Sequence, residues 1–247
     1  MDAPTRVHIE AALARCGLRL RGGWLPGPDD ALPLLPHGHS AAVVWMVGMA
    51  GSECWPAFSA STFFTDGQPH PLDRWAASIG DALARRWAGV ALYPSDGPPY
   101  YPFQQWGARA EDLQPSPLML QMHPEYGLWH AYRFALALPG LQAGDLETPT
   151  AAPYLARSDI CQQCDGQPCL QACPVQAFSG QAFAADSCQG HLQTPQGQDC
   201  MQGGCRARLA CPQGQGYVYQ AAHAAFHMQA FKRPARPNLN KNGRQPL

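Results

Sequence analysis

The sequence predicts an α+β protein: an antiparallel-rich sheet with helices over residues 1–150, then a small cysteine-rich domain over 151–231. Three observations carry this. His70 to Trp87 has apolar residues at helical spacing. Ala41–Val47 and Trp129–Leu138 have the length and pattern of strands. Eight of the ten cysteines fall in the 51 residues from Cys161 to Cys211.

Val7 to Cys16 reads as a short amphipathic helix stopped by Gly17. Ala41–Val47 (AAVVWMV) is a continuous apolar run, as a buried central strand requires. In His70 to Trp87, Leu72, Trp75, Ala76, Ile79, Leu83 and Trp87 share one face. Pro71 suits its first turn and Gly89 ends it. Val90–Tyr93 is a further strand. SDGPPYYPFQQWG reads as a loop, too rich in proline for regular structure, with Tyr100 or Tyr101 as a candidate proton donor. Leu118–Met122 and Trp129–Leu138 read as a hairpin joined by HPEYGL. In the second strand, His130, Tyr132, Phe134, Leu136 and Leu138 make a bulky face that suits a core. Trp129, Ala131, Arg133, Ala135 and Ala137 make a nearly flat one. Such a face suits either a planar ligand or a packed helix.

The chain of 247 residues has room for one medium domain and a small one. Charged residues are 14%, against an average of about 25%. The net charge of −1 leaves no basic footprint for nucleic acid. The tail 232–247 has five basic residues and no acid, and reads as a flexible end. Ala41–Ala50, the longest apolar run, is too short for a bilayer span. The N-terminus has no signal-peptide core. The expected compartment is the cytoplasm, where dense cysteines mean metal ligands more often than disulfides.

The cysteines form two arms. CQQCDGQPCLQACP holds Cys161, Cys164, Cys169 and Cys173, with Pro174 after the last. Cys188 and then CMQGGCRARLACP supply Cys188, Cys200, Cys205 and Cys211, with Pro212 after the last. The domain boundary falls near Asp145 to Arg157. The repeat of Cys, four residues, Cys, spacer and Cys-Pro points to two [4Fe–4S] clusters of the ferredoxin kind. In two-cluster ferredoxins the cysteine before proline serves the other cluster. That rule assigns Cys161, Cys164, Cys169 and Cys211 to one cluster and Cys188, Cys200, Cys205 and Cys173 to the other. Zinc and disulfides are the rival readings; zinc favours paired CxxC units, and there is one such pair. Cys16 and Cys54 read as structural thiols.

QMHPEYGLWHAYRFALALPG, from Gln121 to Gly140, resembles the cobalamin-processing (cblC-type) family. The shared pattern is His123-Pro124-x-Tyr126-Gly127-x-Trp129-x-Ala131-x-Arg133, followed by Leu138-Pro139-Gly140. Pro71-Leu72-Asp73 and Trp106-Gly107 fall upstream in matching order. Joined to a two-cluster domain, the layout is similar to epoxyqueuosine reductases and the cores of reductive dehalogenases. The resemblance implies a flavin-reductase-like domain holding a corrinoid, or less readily FMN, against His123, Trp129, Ala131, Arg133 and Ala135. Electrons from the clusters then reach that ligand, supplied by a redox partner protein. The alternatives are a non-catalytic electron carrier docking a partner enzyme, and a cobalamin chaperone that reduces its cargo. No nucleotide-binding glycine motif points to direct NAD use.

Overall fold

The structure, a computed structural model, describes residues 4–140, 145–146 and 160–232, the side chain of His37 aside. The boundary segment Asp145 to Arg157 therefore lies largely outside the described residues, as does the basic tail beyond Lys232. The chain divides into two units. One draws on Met1–Ser116, Leu120–Cys164 and Pro212–Val218; the other draws on Pro117–Met119, Asp165–Cys211 and Tyr219–Leu247.

The first unit is built on a four-stranded antiparallel sheet, β1 (Arg19–Trp24), β2 (Val43–Ala50), β3 (Val90–Leu92) and β6 (His130–Leu138), in the order β1-β2-β6-β3. All eight residues of β2 are buried, as its unbroken apolar run demands. Helix α1 (Arg6–Ala14) opens the unit, capped by the Thr5 hydroxyl, which accepts from His8 N–H. Helix α2 (Trp55–Ser59) and helix α3 (Thr62–Thr65) follow β2.

Helix α4 (Pro71–Arg86) buries Leu72, Trp75, Ala76 and Leu83 and packs across β3 and β6. Its Gly80 lies so close to Tyr93, Ala91 and Phe134 that a methyl there would press on all three. Helix α5 (Phe103–Ala110) packs on β1 and β2. Its Phe103, Trp106 and Ala110 join Trp24, Val44, Met46, Ala135 and Ala137 in one core cluster. Phe134 and Ala135 alternate across the strand, so α4 and α5 cover opposite faces of the sheet.

Two expectations are corrected. Leu118–Met122 does not form a hairpin with Trp129–Leu138. Only Gln121–Met122 is a strand, β5, and it pairs with β4 (Gln114–Pro115), while β6 pairs with β2 and β3. The turn between them closes on itself, through mutual hydrogen bonds of 2.9 Å between His123 and Gly127. The proline-rich loop ends at Pro102. Phe103–Ala110, free of proline and apolar at helical spacing, is a helix. Strand β1 (RLRGGW) carries no strand signal in its sequence, because two arginines and two glycines break its alternation.

The second unit is a set of short helices: α6 (Pro168–Gln171), α7 (Ala185–Leu192), α8 (Gln198–Gly203), α9 (Arg206–Leu209) and α10 (Ala221–Phe231). α10 packs on α8, and α6 on α9. Leu192, Cys200 and Met201 form its small core, with Cys188 and Met228 against it. Among the described residues, no helix is long and apolar enough to cross a membrane.

Candidate functional site

Four short segments of the second unit bring four cysteines together. Cys173 follows α6, where Pro174 prevents the helix from continuing. Cys188 lies within α7 and Cys200 within α8, while Cys205 caps the N-terminus of α9. Their charges act on one another. Burial pushes the Cys188 thiol up to about 11, and the neighbouring Cys205, Cys173 and Cys200 add to the rise. Burial likewise raises Cys200 and Cys205, and Cys173 acts on both.

The backbone acts on the same sulfurs. Ala177 N–H donates to Cys173 Sγ at 3.3 Å. The backbone at Arg206 opposes the rise at Cys200, and the backbone at Ala207 and Arg208 opposes it at Cys205. The amides of these last two residues are among those that a helix N-terminus leaves without an intrahelical partner. Amides so placed favour thiolate over thiol, opposing the burial. Among the described residues, no three of His, Cys, Asp and Glu stand close enough to hold a single metal ion. Of the other predicted ligands, Cys161 and Cys164 fall in the first unit, and Cys169 and Cys211 in the second. Cys169 lies within α6 and Cys211 just beyond α9, which packs on α6, and both are buried.

In the first unit, a β-bulge sets the position of Arg133. Val47 faces Phe134 and Gly48 faces Tyr132, so Arg133 is the extra residue between them. Gly48 has no side chain to hold β6 away; a Cβ there would collide with the Ala131 carbonyl. Arg133 lines a cleft of about 670 Å³ with Asp73 and Ala77 of α4, and with Tyr93 and Asp96 beyond β3. Its Nη1 is 3.7 Å from the Asp73 carboxylate.

The other residues of the expected ligand face lie elsewhere. Ala135 is fully buried in the α5 core cluster, so a helix covers the alanine face rather than a ligand. Trp129 is buried and Ala131 half-buried. Neither lines the cleft. His123 is a turn residue: its Nδ1 accepts the N–H groups of Glu125 at 3.0 Å and Tyr126 at 3.1 Å. Its ring stacks on Tyr126 with centroids 4.1 Å apart. Tyr101 packs on Trp106, 5.2 Å between centroids, while Tyr100 stays exposed.

Beside this turn lies a buried polar cluster that no motif announced. Arg21, 1% exposed, donates through Nε and Nη2 to both oxygens of Glu111, each at 2.7 Å. Tyr132 donates to Glu111 at 2.6 Å, and Arg21 Nη1 reaches the Met49 carbonyl at 3.2 Å. Burial lifts the Glu111 carboxyl, while Arg21 and the Tyr132 hydroxyl pull it back. The segment Pro212–Val218, directly after Cys211, docks on the same turn. The Gln213 amide donates to the Pro124 carbonyl, and the Tyr217 hydroxyl to Glu125. The approach depends on Gly127, at φ 58°, where a Cβ would collide with the Gln213 carbonyl.

Burial is the main reason that His123 titrates far below its usual value, at about 3 instead of 6.5; the Arg21 charge adds to the effect. Unfolded chain takes up a proton at this histidine below about 6.5, and folded chain does not until about 3. His123 therefore stabilises the fold above 6.5 and loses that contribution as the pH falls towards 3. His123→Asn keeps an acceptor for the two amides and removes the titration. Urea unfolding at a series of pH values is expected to show a shallower acid loss for this variant. An unchanged slope would assign the acid sensitivity to other groups.

No family model matches the chain, and no curated protein sequence does. Among solved structures, the chain is similar to the crystal structure of epoxyqueuosine reductase with a tRNA-Tyr epoxyqueuosine-modified tRNA stem loop. Identity is 14% and the TM-score 0.38, over 73% of this chain and 51% of that one. The chain thus spans about half the length of that protein. A likeness at that level carries no argument about activity.

Proposed function

We propose that the protein carries two [4Fe–4S] clusters and is the reductase module of an iron–sulfur oxidoreductase. In this reading, electrons pass from a redox partner protein through the clusters to a corrinoid, or less readily FMN, bound at the Arg133 cleft. The observation that carries it is the convergence of Cys173, Cys188, Cys200 and Cys205 from four separate segments, with the Ala177 N–H donating to the Cys173 sulfur. A cubane cluster presents an iron to each of four thiolates, so its ligands surround a body rather than a point. Amide hydrogen bonds to the ligand sulfurs are one lever on its potential. Cys161, Cys164, Cys169 and Cys211 hold the second cluster in the same reading. The clusters supply one-electron steps, and the chain's own part is to fix, desolvate and hydrogen-bond their sulfurs.

Anaerobic reconstitution tests the reading. The expected product has about eight irons per chain. Titration with cob(II)alamin and with FMN should then show saturable binding at micromolar levels. Stoichiometric zinc with no iron would sink the cluster reading, and absence of binding by both ligands would sink the reductase. A non-catalytic carrier is the second reading. It is favoured by the burial of Ala135 and the closed His123 turn, which remove two expected ligand contacts. For a carrier, Arg133→Ala leaves electron transfer to any acceptor unchanged.

A further inference from the structure

We infer that the cleft at Arg133 is an anion subsite, and that it grips the phosphate of a phosphorylated ligand. The inference rests on the reading of this cleft as the ligand site, and adds what the ligand must carry.

Three neighbouring polar groups are satisfied. Arg74 donates to both Asp66 oxygens at 2.8 and 2.7 Å and to the Pro69 carbonyl at 2.9 Å. The Tyr93 hydroxyl donates to Asp81 at 2.7 Å. Asp96 accepts from Tyr93 N–H at 2.9 Å. Arg133 differs. Its side chain is 13% exposed, and its Nε is buried with no partner. Asp73, itself 61% exposed, stands 3.7 Å away, outside hydrogen-bond range. Cys54 lies near enough to feel the Arg133 charge, but burial holds that thiol at about 11, so it is no counter-ion.

A guanidinium has five donors and is always charged. Here it is largely removed from water, with one loose partner at the rim. A phosphate offers what is missing: full negative charge and several acceptors in a geometry that guanidinium matches. The volume, about 670 Å³, suits a small-molecule ligand. Asp73 and Asp96 line the same space. They repel a polyanion and accept from hydroxyl or amide donors, so the fitting ligand has one phosphate with such donors beside it. Both FMN and the nucleotide loop of cobalamin meet that description.

The test uses the full chain, reconstituted anaerobically, and two pairs: FMN against riboflavin, which differ by the phosphate alone, and cob(II)alamin against cob(II)inamide, which lacks the whole nucleotide loop with its phosphate. In at least one pair the phosphate-bearing member is expected to bind about tenfold tighter or more. Arg133→Gln should erase that preference with iron content unchanged. Asp73→Asn removes the competing carboxylate and should tighten the phosphate-bearing ligand about threefold, a gain that misfolding cannot produce. Equal binding within both pairs overturns the subsite but leaves the ligand domain standing. Failure of both phosphate-bearing probes to bind overturns both. A preference that survives Arg133→Gln also overturns the subsite.

Discussion

Cys173→Ser is expected to remove the same cluster as Cys188→Ser, although Cys173 belongs to the other cysteine arm. Each variant should lose about half the iron, from about eight atoms per chain to about four. The double variant should lose no more than either single one, since both residues serve one cluster. Pairing Cys173→Ser with Cys169→Ser, its neighbour in sequence, should instead strip both clusters. The reason lies in the thiols: Cys188 feels Cys205, Cys173 and Cys200. Iron analysis and low-temperature EPR of the reduced variants check the pattern. If Cys173 and Cys169 prove non-additive and Cys173 and Cys188 additive, each arm builds its own cluster and the crossed assignment fails.

Glu111→Ala is expected to cost about 3–5 kcal/mol of stability. It leaves Arg21 charged and 1% exposed, and deprives the Tyr132 hydroxyl of its acceptor. Few other single changes in the first unit reach that size, because the loss is an uncompensated buried charge rather than missing packing. Removing both charges should hurt less: Arg21→Met with Glu111→Leu replaces the pair by apolar groups of similar length. Urea unfolding followed by tryptophan fluorescence measures the difference. A loss below about 1 kcal/mol for Glu111→Ala would mean that water reaches Arg21 and the pair behaves as a surface ion pair.

Local pattern determined several elements. α4 emerged at nearly its true limits, because a 3.6-residue period over sixteen residues marks a helix; the apolar run placed β2 two to three residues early. Ala135 shows the opposite case. Ala135 and Ala137 do share a face, but the bulge at Arg133 brings Tyr132 rather than Arg133 onto it, and the aromatic side chains of α5 cover it. The hairpin failed for a related reason. Two adjacent apolar strands suggest pairing, but β6 gains more by entering the sheet between β2 and β3 than by closing on β5.

The sequence alone thus determined the α+β class and the main central strand and helix, and it offers the eight cysteines and their crossed sets as a proposal. These rest on chemistry that is local: periodicity, and thiols spaced along short loops. The tertiary structure decided which residues meet across long separations. Arg21 and Glu111 are 90 residues apart, and no pattern links them until the sheet and α5 bring them together. Arg133 was legible as the one cation on its strand. Its burial, its loose partner and its cleft follow from a one-residue bulge opposite Gly48, which alternation cannot foresee because it breaks the alternation itself.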